Sequence, residues 1–423
     1  MAVKLPWGMW YGQPELEQDF PEGWDVAVCP MAGAPELDEA AVARAVAEPL
    51  DGPSLEDLAA GRRDCCILVD DLTRPTPAGR VLPPMLAALR RAGLGPDRVT
   101  FIVANGTHRA LTRQDLLKKL GPHICSDHAV MRHDTHEELA SLGRVDGVGE
   151  VLVNRFFLEA DLKLAVTGVT PHFMSGFSGG AKIVMPAVCG FETIAATHAH
   201  TVAGPPARVG VVEGNAMRRV MSDCARRAGL AYTADCVFNA QGELCGLHCG
   251  GVDGAFRAAV RQAREVYATQ VPYGSDVGVF NAFPKDTEFI QAMAALNVWA
   301  DRSNRARDLV RPGGTIVVVC ASSEGLGAHG LIEYGRRQFK RRDRHGSFRD
   351  ILGGRRLLFL APNVSLSTVH LYYPPEARLF REWTDLRAAL AELHPAPASV
   401  AVFPTSALQL DEAFLRDGPS VRP

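Results

Sequence analysis

The sequence has no excess of charge of one sign. Its 45 Lys and Arg against 48 Asp and Glu leave a formal net charge of -3, so no global field draws it to nucleic acid or an anionic membrane. It has no apolar run near the about 18 residues that a spanning helix needs. Its first residues, MAVKLPWGMWYGQ, lack the apolar core of roughly 7–15 residues and the small-residue cleavage site of a secretory signal. Its 10 cysteines show no framework spacing, and the adjacent Cys65 and Cys66 suit neither a zinc knuckle nor an easy disulfide. No internal repeat and no low-complexity tract interrupts it. These absences lead us to expect a cytoplasmic chain with reduced thiols and with neither nucleic acid nor membrane as a partner. They leave the oligomeric state open.

What is present is a folding sequence of ordinary composition, 47% hydrophobic and 22% charged over 423 residues. At roughly 100–200 residues per domain this is enough for two or three. Short β-branched apolar runs alternate with helical patterns, which implies an α/β fold. DCCILVDD, VTFIVAN, EVLVN and DLKLAVTGV read as strands. VLPPMLAALRRAG reads as a helix with its prolines in the first turn. LTRQDLLKKLG reads as a helix capped by Thr112 and Asp115 and stopped by Gly121. GNAMRRVMSDCARRAGL and GVDGAFRAAVRQAREVYATQ are further helices. After VPYGSD a second alternating block begins, with VGVFNA, GTIVVVCA, RRLLFLAP and SVAVFP as buried strands. The expected architecture is two α/β domains with a ligand cleft between them: residues 1–272, residues 273–400, and a tail over 401–423 packing back on the first domain. The basic run Arg336–His345 reads as a solvated helix face or as a contact for an acidic ligand or subunit.

In open α/β sheets ligands lie outside the carboxyl ends of the strands. That rule selects three loops. DDLTRP ends an apolar strand with Asp70 and Asp71 and adds Thr73 and Arg74, whose planar fork suits a carboxylate or phosphate; a local Asp–Arg pair capping a turn explains it equally. NGTHR places His108, a proton shuttle or a structural imidazole, after the next strand. PHFMSGFSGGAKIVMP holds His172 and Lys182 around Ser178, Gly179 and Gly180. This loop fails as a P-loop, because Ala181 stands where the second glycine belongs and Ile183 replaces the Mg²⁺-binding hydroxyl. Its backbone can still cradle a phosphate, or it is a tight turn with its lysine in water. FETIAATHAH reads as a helix, so His198 and His200 point about 200° apart and only one faces a common site. H-E-x-x-H is absent, and no carboxylate or cysteine falls at helical ligand spacing.

Taken together, DDLTRP, NGTHR, PHFMSGFSGGAKIVMP, VVEGNAMR, DCVFNAQGELCG, FPKDTEFIQ and SSEGLG resemble the nickel-dependent lactate racemase family over nearly the whole chain. The resemblance implies a nickel-pincer nucleotide, a pyridinium mononucleotide with a thioamide and a thiocarboxylate, joined to Lys182 by the thioamide. It implies His198 as the protein ligand to nickel and His108 and His172 as the acid–base pair. It places Asp71, Leu72, Thr73 and Arg74 along the cofactor beside Ser178, Gly179 and Gly180. It assigns Arg74 and Gln291 to the substrate. The implied reaction inverts a 2-hydroxy acid by moving hydride to the cofactor and back while the two imidazoles exchange the hydroxyl proton, and cofactor-synthesis enzymes become partners. One imidazole on a sulfur-rich centre gives the tetragonal geometry nickel accepts.

Two positions depart from the family pattern. Ala294 stands where the lactate enzymes carry a carboxylate-binding lysine, and Ile290 where they carry a tyrosine. Losing one partner of a charge-assisted contact typically costs ~2–5 kcal/mol. We therefore expect a substrate larger than lactate, among malate, 2-hydroxyglutarate, aryl or aliphatic hydroxy acids and sugar acids. Three other readings stay open: lactate itself, with a group such as Lys285 replacing the lysine; a metal-dependent hydrolase built on His108, His172 and His198; and a silent carboxylate-binding homologue.

Overall fold

The computed structural model of the chain describes residues 2–203, 208–297, 309–331, 348–350 and 352–417. The basic run Arg336–His345 lies outside these residues. The Cys65–Val69 strand is buried at every position, as a parallel strand covered on both faces must be. It is central in a six-stranded sheet. In spatial order the strands are Leu244–Gly250, Tyr232–Phe238, Leu162–Gly168, Cys65–Val69, Val99–Val103 and Ala129–Arg132. All neighbours are parallel except the Tyr232–Phe238 and Leu244–Gly250 hairpin. The second six-stranded sheet is wholly parallel. It runs Arg378–Phe380, Arg356–Leu360, Val310–Val319, Ser275–Asn281, Ser399–Phe403 and Asp25–Val28. The α/β class read from the alternation is the class of the fold.

Both sheets reverse their strand order once. In the first, the chain moves outward from Cys65–Val69 and returns to place Leu162–Gly168 on its other side. In the second it moves outward from Ser275–Asn281 and returns with Ser399–Phe403. At such a switch point adjacent loops leave in opposite directions and open a crevice. The loops after the Cys65–Val69, Leu162–Gly168 and Ser275–Asn281 strands carry Asp71–Arg74, His172–Lys182 and Lys285–Gln291 respectively.

Several local expectations change. Asp25–Val28 pairs with Ser399–Phe403, so the first residues join the second sheet rather than a unit running unbroken from 1 to 272. The strand covers an edge that would otherwise expose unpaired backbone. Residues 401–403 complete a central strand of that sheet, so no tail begins at 401. Leu410–Asp411 then pairs with Ala268–Thr269. The first long helix starts at Ala78, which leaves Pro83 and Pro84 inside it. Burial of Val81, Leu82, Met85 and Leu89 outweighs the hydrogen bonds the prolines remove. EVLVN belongs to a separate hairpin with Leu139–Val145. The capping box of Thr112 and Asp115 is present, and Gly121 ends that helix. All ten cysteines are free, and among the described residues no helix is long and apolar enough to cross a membrane.

The Arg113–Leu120 helix matters because it delivers Lys119, 1% exposed, beneath the first loop. Lys119 Nζ lies 2.6 Å from Asp70 Oδ1 and donates to the carbonyls of Asp71 and Arg74 at 3.0 and 3.1 Å. Asp70 Oδ2 accepts from Thr76 Oγ1 at 2.6 Å and from the Gly168 N–H at 3.1 Å. Removing one partner of such a buried pair leaves an uncompensated charge and costs about 3–5 kcal/mol. Lys119→Met is expected to lose that much in denaturant unfolding, and Asp70→Asn in the same chain to restore part of it. Equal losses in the single and double variants would contradict the coupling.

Candidate active site

One cavity of about 330 Å³ gathers the loops at both switch points. Of the residues singled out in the sequence, Asp71, Thr73, Arg74, His108, His172, Ser178, Gly179, Lys182, His198 and Gln291 all line it. Leu72 and Gly180 do not. Leu72 is buried in the core, and the Cβ position of Gly180 lies against the Phe256 ring. The side chain of His200 lies outside the described residues.

His108 owes its form to the loop that Lys119 holds. Its Nδ1 meets Asp71 Oδ2 at 2.7 Å. A carboxylate only accepts, so Nδ1 carries the proton and the lone pair of the neutral ring is on Nε2. Asp71 Oδ1 accepts from the Thr73 N–H at 2.8 Å and from Thr73 Oγ1. Arg74 Nη1 donates to Thr73 Oγ1 at 2.8 Å. Burial pushes the Asp71 carboxyl up, but His108, Arg74 and Thr73 together overcome it and hold the group well below the usual carboxylate range. The unit is a base backed by a permanently ionised carboxylate.

His172 is built the opposite way. Its Nδ1 accepts from the backbone N–H groups of Met174 and Ser175, each at 3.2 Å, so the neutral ring carries its proton on Nε2. Burial, with Lys182, Lys285, Arg74 and His198 adding repulsion, holds it well below the ordinary histidine range. His198, on the Phe191–Ala203 helix, donates from Nδ1 to the Ile194 carbonyl at 2.7 Å. That leaves Nε2 as a free donor atom for a metal. Burial and Lys182 lower its pKa and favour the neutral, ligating form.

Lys182 stands in a short 3₁₀ turn, Gly180–Ile183, on a loop tied down at several points. Ser178 Oγ donates to the Gly168 carbonyl and accepts from the Thr170 N–H at 2.9 Å. Asp235 Oδ1 accepts from the Gly180 N–H at 2.7 Å. Arg218, 5% exposed, donates to the carbonyls of Gly179, at 2.9 Å, and Phe177. Its guanidinium lies 4.1 Å from the Phe256 ring centroid, a cation–π contact. Gly179 and Gly180 have φ of +90° and +55°, and a Cβ on Gly179 would sit 2.6 Å from Val169 Cγ2. The loop's own packing demands these glycines.

Sequence reasoning passed over Lys119, Arg218, Asp235 and His329. Arg218 and Asp235 stand inside VVEGNAMR and DCVFNAQGELCG, so a signal for both was present. His329 was outside every motif. It lines the cavity with Ile290, Met293, Ala294 and Leu331, and its ring centroid is 5.1 Å from that of His108. Residues 108 and 329 form a backbone bridge, and Gly330 N–H donates to Thr107 O at 2.8 Å. Among the described residues no three His, Cys, Asp or Glu side chains converge as a metal site. His108, His172 and His198 share a cavity without sharing a point.

Burial, with Arg74 and Arg218 nearby, brings the Lys182 ammonium down to about 7, against the pull of Asp71. The lysine is thus a nucleophilic amine near neutral pH. In protein made without cofactor, labelling of Lys182 by an amine-reactive reagent is expected to rise with pH through a midpoint near 7. A midpoint near the ordinary about 10.4 would show the amine to be solvated.

Residues 11–210 match the lactate racemase N-terminal domain. A lactate racemase of Lactiplantibacillus plantarum is 28% identical over 301 residues, 70% of this chain and 68% of that protein. One of Thermoanaerobacterium thermosaccharolyticum is 26% identical over 332 residues, 77% and 76% of the two chains. Among solved structures, the lactate racemase apoprotein of the latter organism shares the fold, with a TM-score of 0.76 at 21% identity over 97% of this chain and 100% of that one. A Thermotoga maritima protein shares it with a TM-score of 0.65 at 16% identity, over 88% and 98%. The matched domain spans the Asp71, His108, His172, Lys182 and His198 positions just described, and in it the chain is similar to the lactate racemases.

Proposed function

We propose that the protein racemises or epimerises a 2-hydroxy acid by reversible hydride transfer, with a nickel-pincer nucleotide on Lys182. The observation that carries this reading is a pair of imidazoles in one cavity, each free to act through Nε2 and each held by an opposite partner: Asp71 behind His108, two backbone N–H groups behind His172. Two relatives of the chain are named lactate racemases.

The residues present fit the cofactor. A deprotonated amine with a pKa of about 7 suits amide-type attachment at Lys182. A single imidazole, His198, offers a free Nε2, which suits a metal whose other donors belong to the cofactor. Asp71, Thr73 and Arg74 would line the group, with Ser178 and Gly179 on the lysine side. When bound, it supplies a reversible acceptor for the hydride at C2.

The remaining work falls to the chain. Arg74 and Gln291 hold the substrate carboxylate and fix C2 in the cavity. His108 Nε2 takes the hydroxyl proton as hydride departs, and Asp71 stabilises the imidazolium that forms, as a buried carboxylate does for a catalytic histidine. The keto acid then presents its other face. His172 Nε2–H donates a hydrogen bond to its oxygen as hydride returns, and the proton held on His108 passes back to that oxygen, so both rings end neutral. The compartment in keeping with this chemistry and with ten free thiols is the cytoplasm.

Protein made together with the cofactor-synthesis enzymes is expected to show an adduct on Lys182 and about one nickel per chain by intact mass and metal analysis. Zinc without an adduct would point instead to a hydrolytic metal site. A 2-hydroxy acid deuterated at C2 should keep its label through inversion; wash-out to solvent would indicate a carbanion. His108→Asn and His172→Asn should each lower inversion by about 10²–10⁴-fold while the adduct and nickel content stay unchanged. Full activity in either variant would remove that histidine from the proton path.

A further inference from the structure

The wall contributed by the second half of the chain is unused by this mechanism except for Gln291. Ile290, Met293, Ala294 and Leu331 supply most of it. Phe173 also lines the cavity, yet 50% of its surface is exposed. Its ring stacks on His172 with centroids 5.1 Å apart and planes 15° from parallel. An apolar ring left half in water beside a catalytic imidazole is a surface that a ligand's apolar substituent would cover favourably.

Charge narrows the choice further. Among the described residues, the cations lining the cavity are Arg74, Lys182 and Lys285. Attachment of the cofactor through a thioamide removes the charge of Lys182. Arg74 and Lys285 then face two anions, the nucleotide phosphate and the substrate carboxylate. Lys285 is 3% exposed, and its Nζ donates to the Pro171 carbonyl at 3.2 Å, next to His172. The neighbouring carboxylate does not neutralise it, because Asp286 is engaged by the N–H groups of Gly8 and Met9 at 2.8 and 3.1 Å. A second substrate carboxylate would find no further cation among the described lining residues. A polyol would set its hydroxyls against Ile290, Met293 and Leu331, where they would go unpaired.

We propose that the cavity selects a 2-hydroxy monocarboxylic acid with an apolar substituent larger than methyl, and that Lys285 is a carboxylate anchor alongside Arg74. Ile290, Met293 and Ala294 set this selectivity, with Phe173 covering the substituent. The proposal rests on the racemase reading for the identity of the reacting centre, but its binding half can be measured separately.

The test uses the cofactor-loaded enzyme and single enantiomers of lactate, 2-hydroxy-3-methylbutanoate, 3-phenyl-2-hydroxypropanoate, malate and gluconate. Binding is followed by saturation-transfer NMR and inversion by chiral chromatography. The branched or aryl acid should exceed lactate in kcat/KM by about tenfold or more, the discrimination that apolar pockets give per methylene, with malate and gluconate no better than lactate. Lys285→Met should weaken binding of the phenyl acid by about thirtyfold or more and leave binding of its uncharged amide unchanged. Ala294→Lys should raise malate relative to the phenyl acid. Preference of the unaltered enzyme for malate or gluconate would overturn the proposal. Equal losses of acid and amide in Lys285→Met would overturn the anchor. If no acid is inverted while the phenyl acid still binds best, the selectivity stands and the racemase reading fails.

Discussion

The site depends on one buried carboxylate that touches no substrate. Asp70 closes the central strand of the first sheet and gathers Lys119, Thr76 and the Gly168 N–H. Through Lys119 it fixes the carbonyls of Asp71 and Arg74, and so the direction in which Asp71 meets His108. Through Gly168 it fixes the end of the neighbouring strand, whose carbonyl receives Ser178 Oγ and so starts the lysine loop. Two catalytic loops that are a hundred residues apart in the chain are thereby registered to each other by a single side chain. Such a group earns its desolvation cost only when every lone pair is satisfied. Here Oδ1 faces the Lys119 cation, and Oδ2 takes a hydroxyl and a backbone donor.

The second constraint is the gathering of three basic side chains in one partly buried cavity. Arg74, Lys182 and Lys285 line it with little compensation, because Asp71 is committed to His108 and Asp70 to Lys119. Burial leads the effect, and mutual repulsion adds to it. Lys182 falls to about 7, Lys285 falls well below its ordinary range, and His172 and His198 follow. One field thus produces three chemical properties at once: a nucleophilic lysine, a neutral metal-ligating imidazole and a neutral second imidazole. It also makes the empty charge pattern complementary to anions, which a nucleotide phosphate and a hydroxy acid both are.

Much of this was legible in the sequence because function sits at strand ends. Once Cys65–Val69, Val99–Val103 and Leu162–Gly168 read as buried parallel strands, the loops after them had to share an edge, and Asp71, His108, His172 and Lys182 came with them. What was not legible depends on contacts between distant residues. Lys119 is one lysine of a KK pair on a well-capped helix, and nothing in the pattern sets it apart from Lys118. Asp25–Val28, of only four residues, is too short to declare which sheet it joins. His329 reaches His108 only because residues from the two halves form a backbone bridge. The glycines of the lysine loop are also required by packing that the sequence does not display. Their neighbours Val169 and Phe256 occupy the space a side chain would need.

The unequal support of the two histidines meets a thermodynamic limit. Asp71 accepts a hydrogen bond from His108 Nδ1, whereas the N–H groups and cations around His172 disfavour an imidazolium there. For a true racemisation the enantiomers have equal free energies, so the ratio of kcat to KM must be the same in both directions whatever the active site prefers. An asymmetric pair can therefore alter kcat for one hand only if KM for that hand changes by the same factor. The carboxylate behind His108 stabilises one protonated intermediate state, and that state is shared by both directions of travel. Its benefit lies in lowering a common barrier. A site built from two identical supports would gain no further symmetry in the reaction it catalyses, and the fold is free to supply one carboxylate and one pair of amides.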